Sequence, residues 1–263
     1  QRTTPEAVEI QKMLAQMVTA RCAACVLEVS SHALDQHRVE GVAFDVGIFT
    51  NLTEDHLDYH GSVEEYYAAK RRLFALLQEG GKPARAVINI DDPFGARLHG
   101  ETGAAVRISF GFTESATIRA SRIRLGAEGT TMRVETPAGA IDCRLPLLGR
   151  LNVYNALAAI GTGIVLGLPL DLIRSALQSV PQVPGRLERI DAGQRFGVYV
   201  DYAHTADALH HVLEALREIT TGRLILVFGC GGDRDPRKRA PMGRVAGEQA
   251  DWALVTSDNP RHE

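Results

Sequence analysis

Short β-branched apolar runs alternate with amphipathic helical stretches along this chain, and that alternation restricts its fold more than any other feature. AACVLEV (23–29), FDVGIFTNL (44–52) and ARAVINID (84–91) read as strands of a sheet covered on both faces. Thr4 as N-cap and Pro5 as first helical residue predict a helix over about 5–20, with Ile10, Met13, Leu14, Met17 and Val18 on one side. Ser62 with Glu65 forms a capping box for a second helix through Tyr66, Tyr67, Ala69, Lys70, Phe74 and Leu77. VRISFG, TIRASRIRLG, GTTMRVET and AIDCRLPL, separated by polar or Gly-rich turns, predict a small antiparallel group over about 106–147. Helices near 151–166 and 170–179 close this first unit.

Two prolines and a glycine in SVPQVPGRLE (179–188) mark a hinge. A second α/β unit follows, with strands at 196–203, 223–229 and 251–259 and helices at 205–220 and 241–250. The expected class is therefore α/β in two domains, 1–184 and 185–263. Ligands in such sheets sit at the carboxyl ends of the strands.

A length of 263 residues with 45% hydrophobic side chains supports two modest cores. The formal net charge of −3 gives no electrostatic case for nucleic acid, which calls for a basic patch. No apolar run approaches the roughly 20 residues needed to span a bilayer, and there is no signal-peptide pattern, so a cytoplasmic protein is expected, acting as a monomer. Cys22, Cys25, Cys143 and Cys230 are too few and scattered for a disulfide framework. Cys22 and Cys25 form a C-x-x-C beside an apolar run and are expected to be core thiols rather than metal or redox ligands. Gln1 is not a methionine and Glu263 closely follows a strand-like run, as expected of a fragment.

Polar residues gather at five expected strand ends: Glu28, Ser30 and Ser31; Asn51, Asp55, His56, Asp58 and His60; Asp201, Tyr202 and His204; Gly231 to Arg234; and Asp258, Asn259 and Arg261. Such decoration favours a catalytic cleft over a plain scaffold. Glu28 interrupts an apolar run, where a buried carboxylate needs either an ion pair or a metal. EDHLDYH (54–60) offers oxygen and imidazole ligands to a divalent ion, or is a solvated loop that caps the next helix. Lys70, beside Arg71 and Arg72, reads by itself as a surface lysine. GCGGDRD (229–235) could cradle an anion or simply turn tightly. No GxxxxGK(S/T) phosphate loop is present.

In this order, TTPEAVE (3–9), EVSSHALDQHRV (28–39), FTNLTEDHLDYHG (49–61), AAKRRLF (68–74), LLGRLNVYNALAA (147–159), VPGRLE (183–188), VDYAHTADAL (200–209), VFGCGGDRDPRKRAPMG (227–243) and TSDNPRHE (256–263) resemble the Mur ligases. Within that family they are most similar to the branch that adds a third amino acid to a UDP-muramoyl dipeptide. Arg2, where a histidine often precedes TTP, and Ala240, inside the usual KRP run, are small departures. SSHALDQHR with DNPR argues against the MurC, MurD, MurF and folylpolyglutamate synthase branches. A metal-dependent hydrolase built on EDHLDYH and a non-catalytic relative are the rival readings.

The resemblance implies a central ATP-binding domain over 1–184, lacking its phosphate loop, and a truncated Rossmann-like domain over 185–263. It further implies ATP-dependent amide bond formation, through an acyl phosphate, between UDP-N-acetylmuramoyl-L-alanyl-D-glutamate and meso-diaminopimelate in peptidoglycan synthesis. The piece alone is expected to be inactive. By matching motif positions, Glu28, His56 and a carbamylated Lys70 are implied as Mg2+ ligands. Thr3, Thr4, Ser30, Gln36 and Arg38 are implied for the UDP-muramoyl dipeptide. Asn152, Asn155, Arg186, Asp201 and His204 are implied for ATP, and Arg234, Asn259 and Arg261 for the incoming amino acid.

Overall fold

The computed structural model describes residues 3–53 and 56–263. In chain order the elements of the first half are α1 (Ala7–Thr19), α2 (Ser31–Asp35), β1 (Gly47–Phe49), α3 (Leu57–His60), α4 (Val63–Glu79), β2 (Arg85–Asn89), α5 (Pro93–Glu101) and β3 (Val106–Gly111). Then come β4 (Ile118–Gly126), β5 (Gly129–Thr136), β6 (Gly139–Leu145), α6 (Arg150–Val165) and α7 (Leu170–Gln178). The remainder comprises β7 (Glu188–Arg189), β8 (Tyr199–Val200), α8 (Ala206–Ile219), β9 (Ile225–Phe228), α9 (Arg239–Gln249) and β10 (Trp252–Val255). Residues group into two compact units: Gln1–Arg119 with Glu135–Gly139 and Leu157–Leu170, and Ala120–Val134 with Ala140–Ala156 and Asp171–Glu263.

Strands β1 to β6 follow one another in a six-stranded sheet. β1 pairs parallel with β2, β2 with β3, and β3 with β4 through Phe110 opposite Ile118 and Gly111 opposite Arg119. VRISFG thus belongs to the parallel part, which corrects the expectation that the antiparallel group begins at 106. Connections of two residues join β4 to β5 and β5 to β6, too short for the crossover that parallel strands need, so these strands form hairpins.

In the first unit half of the expected capping box forms: Ser62 Oγ accepts from Glu65 N at 3.2 Å and α4 begins at once, while Glu65 Oε2 accepts from the Ser62 hydroxyl at 3.2 Å instead of from its backbone amide. The inner face of α4 buries Tyr67, Phe74 and Leu77 with Phe49, Ala86, Ile88 and Leu98. Each such side chain contributes on the order of 1.5–3 kcal/mol. Gly161 of α6 lies against the opposite sheet face, where an added Cβ would stand 2.7 Å from Val87 Cγ1. Helices on both faces explain why RAVIN reads as a nearly continuous buried run.

Three further expectations fail. Residues 23–29 form no strand; Cys22, Cys25 and Val26 are exposed, and Glu28 with them. An apolar run becomes a strand only when a ladder partner stands beside it, and among the described residues none pairs with this one. The two cysteines are therefore not core thiols, whereas Cys143 is buried and its thiol is pushed up to about 11 by desolvation. Second, Thr4 is not a helix cap: α1 starts at Ala7 with Glu6 as cap, because the Thr4 hydroxyl is engaged 24 residues away. Third, of 196–203 only Tyr199–Val200 is strand, and it pairs antiparallel with β7 rather than joining a parallel sheet.

In the second unit β9 and β10 pair in parallel, Ile225 opposite Trp252 and Val227 opposite Leu254. Leu209, Leu213 and Leu216 of α8 and Met242 and Ala246 of α9 pack with Leu224, Leu226 and Phe228. Ile225 and Val227, which alternate with those inward residues of β9, stay exposed, and all four residues of β10 are exposed as well. No helix among the described residues is long and apolar enough to cross a membrane.

Candidate functional site

The first unit folds two motif segments against each other. Thr4 is 1% exposed; its hydroxyl donates to Glu28 O at 2.8 Å and accepts from Ser30 N at 3.0 Å. Ser30 in turn caps α2, its Oγ accepting from Ala33 N at 3.3 Å. Past α2 the chain returns, and Arg38, 8% exposed, donates from Nη1 to Thr4 O at 3.1 Å and from Nη2 to Gln36 Oε1. Its Nε makes no hydrogen bond and lies 3.6 Å from Glu6 Oε2. Thr4, Ser30, Gln36 and Arg38 are thus one connected group, while Thr3 is exposed beside it. Glu28 joins through its backbone carbonyl.

His56 caps the single turn α3 from the left-handed region, φ 57°. Its ring lies 5.0 Å from that of His32 and 6.0 Å from that of Tyr66. Over the same Tyr66 ring, at 5.1 Å, stands Lys70 Nζ, which also donates to Asn51 O at 3.4 Å. Half-buried Lys70 is accordingly directed at the loop that carries His56, which a plain surface lysine would not require. Glu54 and Asp55 of the ligand-rich run, like Arg2, lie outside the described residues. His60 is buried, stacks on Tyr66 at 5.0 Å and meets Ser31 Oγ at 2.9 Å. Burial lowers the pKa of His60, and burial followed by the charge of His56 lowers that of His32.

The connectors His32, Tyr59, His60 and Tyr66 escaped the sequence reading as a group. Their signal was present: His56, Tyr59 and His60 stand at i, i+3 and i+4, a spacing that puts all three on one side of a helical turn.

In the second unit Asp201 Oδ2 accepts from Leu187 N at 2.8 Å, and the Arg186 guanidinium stands 5.7 Å from the Tyr202 ring centroid. His204 Nδ1 is 3.0 Å from Tyr202 O. Arg186, Asp201 and His204 are therefore gathered where RLE meets VDYAH. Asn152 Nδ2 donates to Leu148 O at 2.8 Å, and Asn155 Nδ2 to Asn152 Oδ1 at 3.2 Å, so the two asparagines share one turn of α6.

The glycine loop after β9 packs on the segment after β10. Gly232 N donates to Asn259 O at 2.7 Å, and a Cβ on Gly232 would stand 2.0 Å from Pro260 O. A Cβ on Gly229 would be 2.4 Å from Thr256 O. These glycines permit a close backbone approach, and the Gly232 amide is already used within the chain, which weighs against a simple anion cradle. Arg234, Asn259 and Arg261 border this contact and are exposed; the backbone of Arg261 is left-handed at φ 52°.

One trio among the described residues holds its possible ligand atoms within 4.8 Å of one another: His210, His211 and Glu214 of α8. His211 also lies 3.6 Å from Asp207, and His210 contacts Gln249.

Family profiles match along the chain, the Mur ligase middle domain over residues 1–163 and the glutamate ligase domain of Mur ligases over 185–263. Over 264 aligned residues the chain is 51% identical to the UDP-N-acetylmuramoyl-L-alanyl-D-glutamate–2,6-diaminopimelate ligase of Geobacter metallireducens, covering 99% of this chain and 52% of that protein. The enzyme of the same name in Geobacter sulfurreducens is 49% identical with the same coverage. A solved structure of a ligase of that name superposes with a TM-score of 0.76 at 33% identity, over 99% of this chain and 53% of the other. The chain thus spans about half the length of the relatives it matches. It belongs to the Mur ligase family.

Proposed function

We propose that the complete protein adds meso-diaminopimelate to UDP-N-acetylmuramoyl-L-alanyl-D-glutamate, using ATP and Mg2+, as a step of peptidoglycan synthesis in the cytoplasm. The observation that carries this reading is the meeting, inside one unit, of the Thr4–Ser30–Gln36–Arg38 group with the His56–Tyr66–Lys70 group. Relatives that bear the ligase name at 49–51% identity support it. The domain boundary of the reading remains 184/185.

Glu28, His56 and Lys70 as its carbamate would hold Mg2+. The donor set fits, since two anionic oxygen groups and one imidazole suit a hard divalent ion. Lys70 and His56 already face one tyrosine ring. Arg186, Asp201 and His204, with Asn152 and Asn155, would hold the nucleotide. When bound, nucleotide and metal supply activation of the D-glutamate carboxylate as an acyl phosphate. The chain's own residues position and neutralise charge, which dominates such transfers. Thr3, Thr4, Ser30, Gln36 and Arg38 hold the anionic muramoyl dipeptide, Arg38 through its charge. Arg234, Asn259 and Arg261 hold the amino acid, and Arg261 is the cation that the second carboxylate of diaminopimelate requires.

The test is an assay of the complete enzyme with ATP, Mg2+, the UDP-muramoyl dipeptide and either meso-diaminopimelate or L-lysine. Phosphate release and the product mass should show the diaminopimelate tripeptide. A kcat/KM equal or higher for lysine would remove the specificity, and metal-dependent hydrolysis without nucleotide would remove the ligase.

A further inference from the structure

We propose that Tyr59 is a positioning residue for the UDP-muramoyl dipeptide: its hydroxyl fixes the Gln36 amide and so couples the segment of His56 to the segment of Arg38. The proposal rests on the ligase reading and names a residue which that reading does not use.

Tyr59 stands in α3, three residues after His56. Its Oη donates to Asp35 Oδ2 at 2.7 Å and accepts from Gln36 Nε2 at 2.9 Å. With its amine committed to Tyr59, Gln36 turns its Oε1 to Arg38 Nη2. Arg38 then reaches Thr4 O with its other terminal nitrogen. Every donor and acceptor in the series Arg38, Gln36, Tyr59, Asp35 is consistent in direction, and the carboxylate at its end accepts the one hydroxyl proton. Reversing the Gln36 amide would set its amine against a guanidinium and its oxygen against a hydroxyl whose proton is already given to Asp35. One orientation is therefore selected.

The Tyr59 ring also has a fixed seat. It lies 4.1 Å from the His32 ring and 4.8 Å from that of His60, centroid to centroid. His32 in turn faces His56 at 5.0 Å. A displacement of α3 is thereby transmitted to Gln36 through a hydroxyl rather than through the backbone. Although 41% exposed, Tyr59 is held by two hydrogen bonds and two rings, more than a surface tyrosine needs for solubility.

Tyr59→Phe in the complete enzyme deletes only the hydroxyl and keeps the ring seat. The KM for the UDP-muramoyl dipeptide should rise about 3- to 10-fold, the ordinary worth of a lost hydrogen-bond anchor. The kcat and the KM values for ATP and diaminopimelate should stay within about 2-fold, because those groups are untouched. On a Gln36→Ala background the same substitution should change the dipeptide KM by less than about 2-fold, since the hydroxyl then has no amide to fix. An unchanged dipeptide KM, a uniform change of all three KM values, or full additivity with Gln36→Ala would each overturn the proposal while leaving the ligase reading intact. Absence of ligation by the wild-type enzyme would overturn the reading, and this proposal with it.

Discussion

The two units present their motif residues in opposite ways. In the first, Thr4, Ser30, Gln36 and Arg38 are bonded to one another and tied to α3 by side chains, and Thr4 and Arg38 are buried. In the second, Arg234, Asn259 and Arg261 are exposed, and what is fixed beneath them is backbone: Gly232 N on Asn259 O, with glycines letting the two loops touch. The difference teaches that a binding segment can be pre-built either by side-chain ties or by close main-chain packing that leaves charged tips free. Pre-built polar groups lose less entropy when a ligand arrives. Exposed arginines give affinity only once a ligand anion desolvates them, so under the proposed function their contribution would fall in the amino-acid step.

Lys70→Ala in the complete enzyme is the harshest test of this contrast. On the role proposed for Lys70, its loss from the pre-built unit should lower kcat by at least about 100-fold, without rescue by bicarbonate. Near-normal turnover would return Lys70 to a surface role and remove the catalytic side of the comparison. Next in size is Arg261→Ala, which should raise the diaminopimelate KM about 10- to 100-fold with kcat much less affected, because a charge-assisted partner is lost. If kcat fell instead, the exposed tips would be part of the chemistry and the contrast would fail.

How far the sequence reached follows the same division. Helix α4 was legible because its start is local, with Ser62 before Glu65, and α8 was expected at 205–220 from the strand–helix alternation; the structure adds its cap, Thr205, whose Oγ accepts from Ala208 N. Thr4 was misread because its hydroxyl partner lies 24 residues away, and local rules cannot see it. Residues 23–29 were misread because a strand is a property of two segments, and alternation in one cannot supply the other. The proposed roles of the motif residues rest on resemblance, because no local rule supplies them. The ties among them were not legible, since Tyr59 and His60 act through ring and hydroxyl contacts that only the fold creates.

A pair of glycines sharpens the contrast at lower energy. A Cβ on Gly95 would stand 1.8 Å from Asn89 O, where α5 meets β2 in the covered core; one on Gly232 would stand 2.0 Å from Pro260 O in an exposed segment. Gly95→Ala should cost roughly 1–3 kcal/mol or more in urea denaturation, as for overpacking against fixed backbone. Gly232→Ala should cost less, because 258–261 can move away, and should appear instead as a raised diaminopimelate KM. Equal losses of stability would mean that the second unit is packed as firmly as the first.

The smallest expected effect is the pH dependence of stability, and it separates the units by their histidines. His32, His60 and His99 of the first unit all have pKa values lowered from 6.5, each chiefly by burial; Asp35 partly offsets the shift at His60, and Arg107 adds to it at His99. A histidine with a lowered folded pKa takes up its proton more readily in the unfolded chain. Between the two pKa values the unfolded state then binds more protons, so stability falls as pH drops below about 6.5 and levels off beneath the folded value. Melting followed from pH 7.5 to 5.0 in the presence of a chelator, so that no metal competes for the imidazoles, should show that decline. His99→Gln, far in function from the motif residues, should remove its share and flatten the slope without touching the dipeptide KM. A slope unchanged in His99→Gln would show that this imidazole is already hydrated in solution, and burial would no longer account for its lowered pKa.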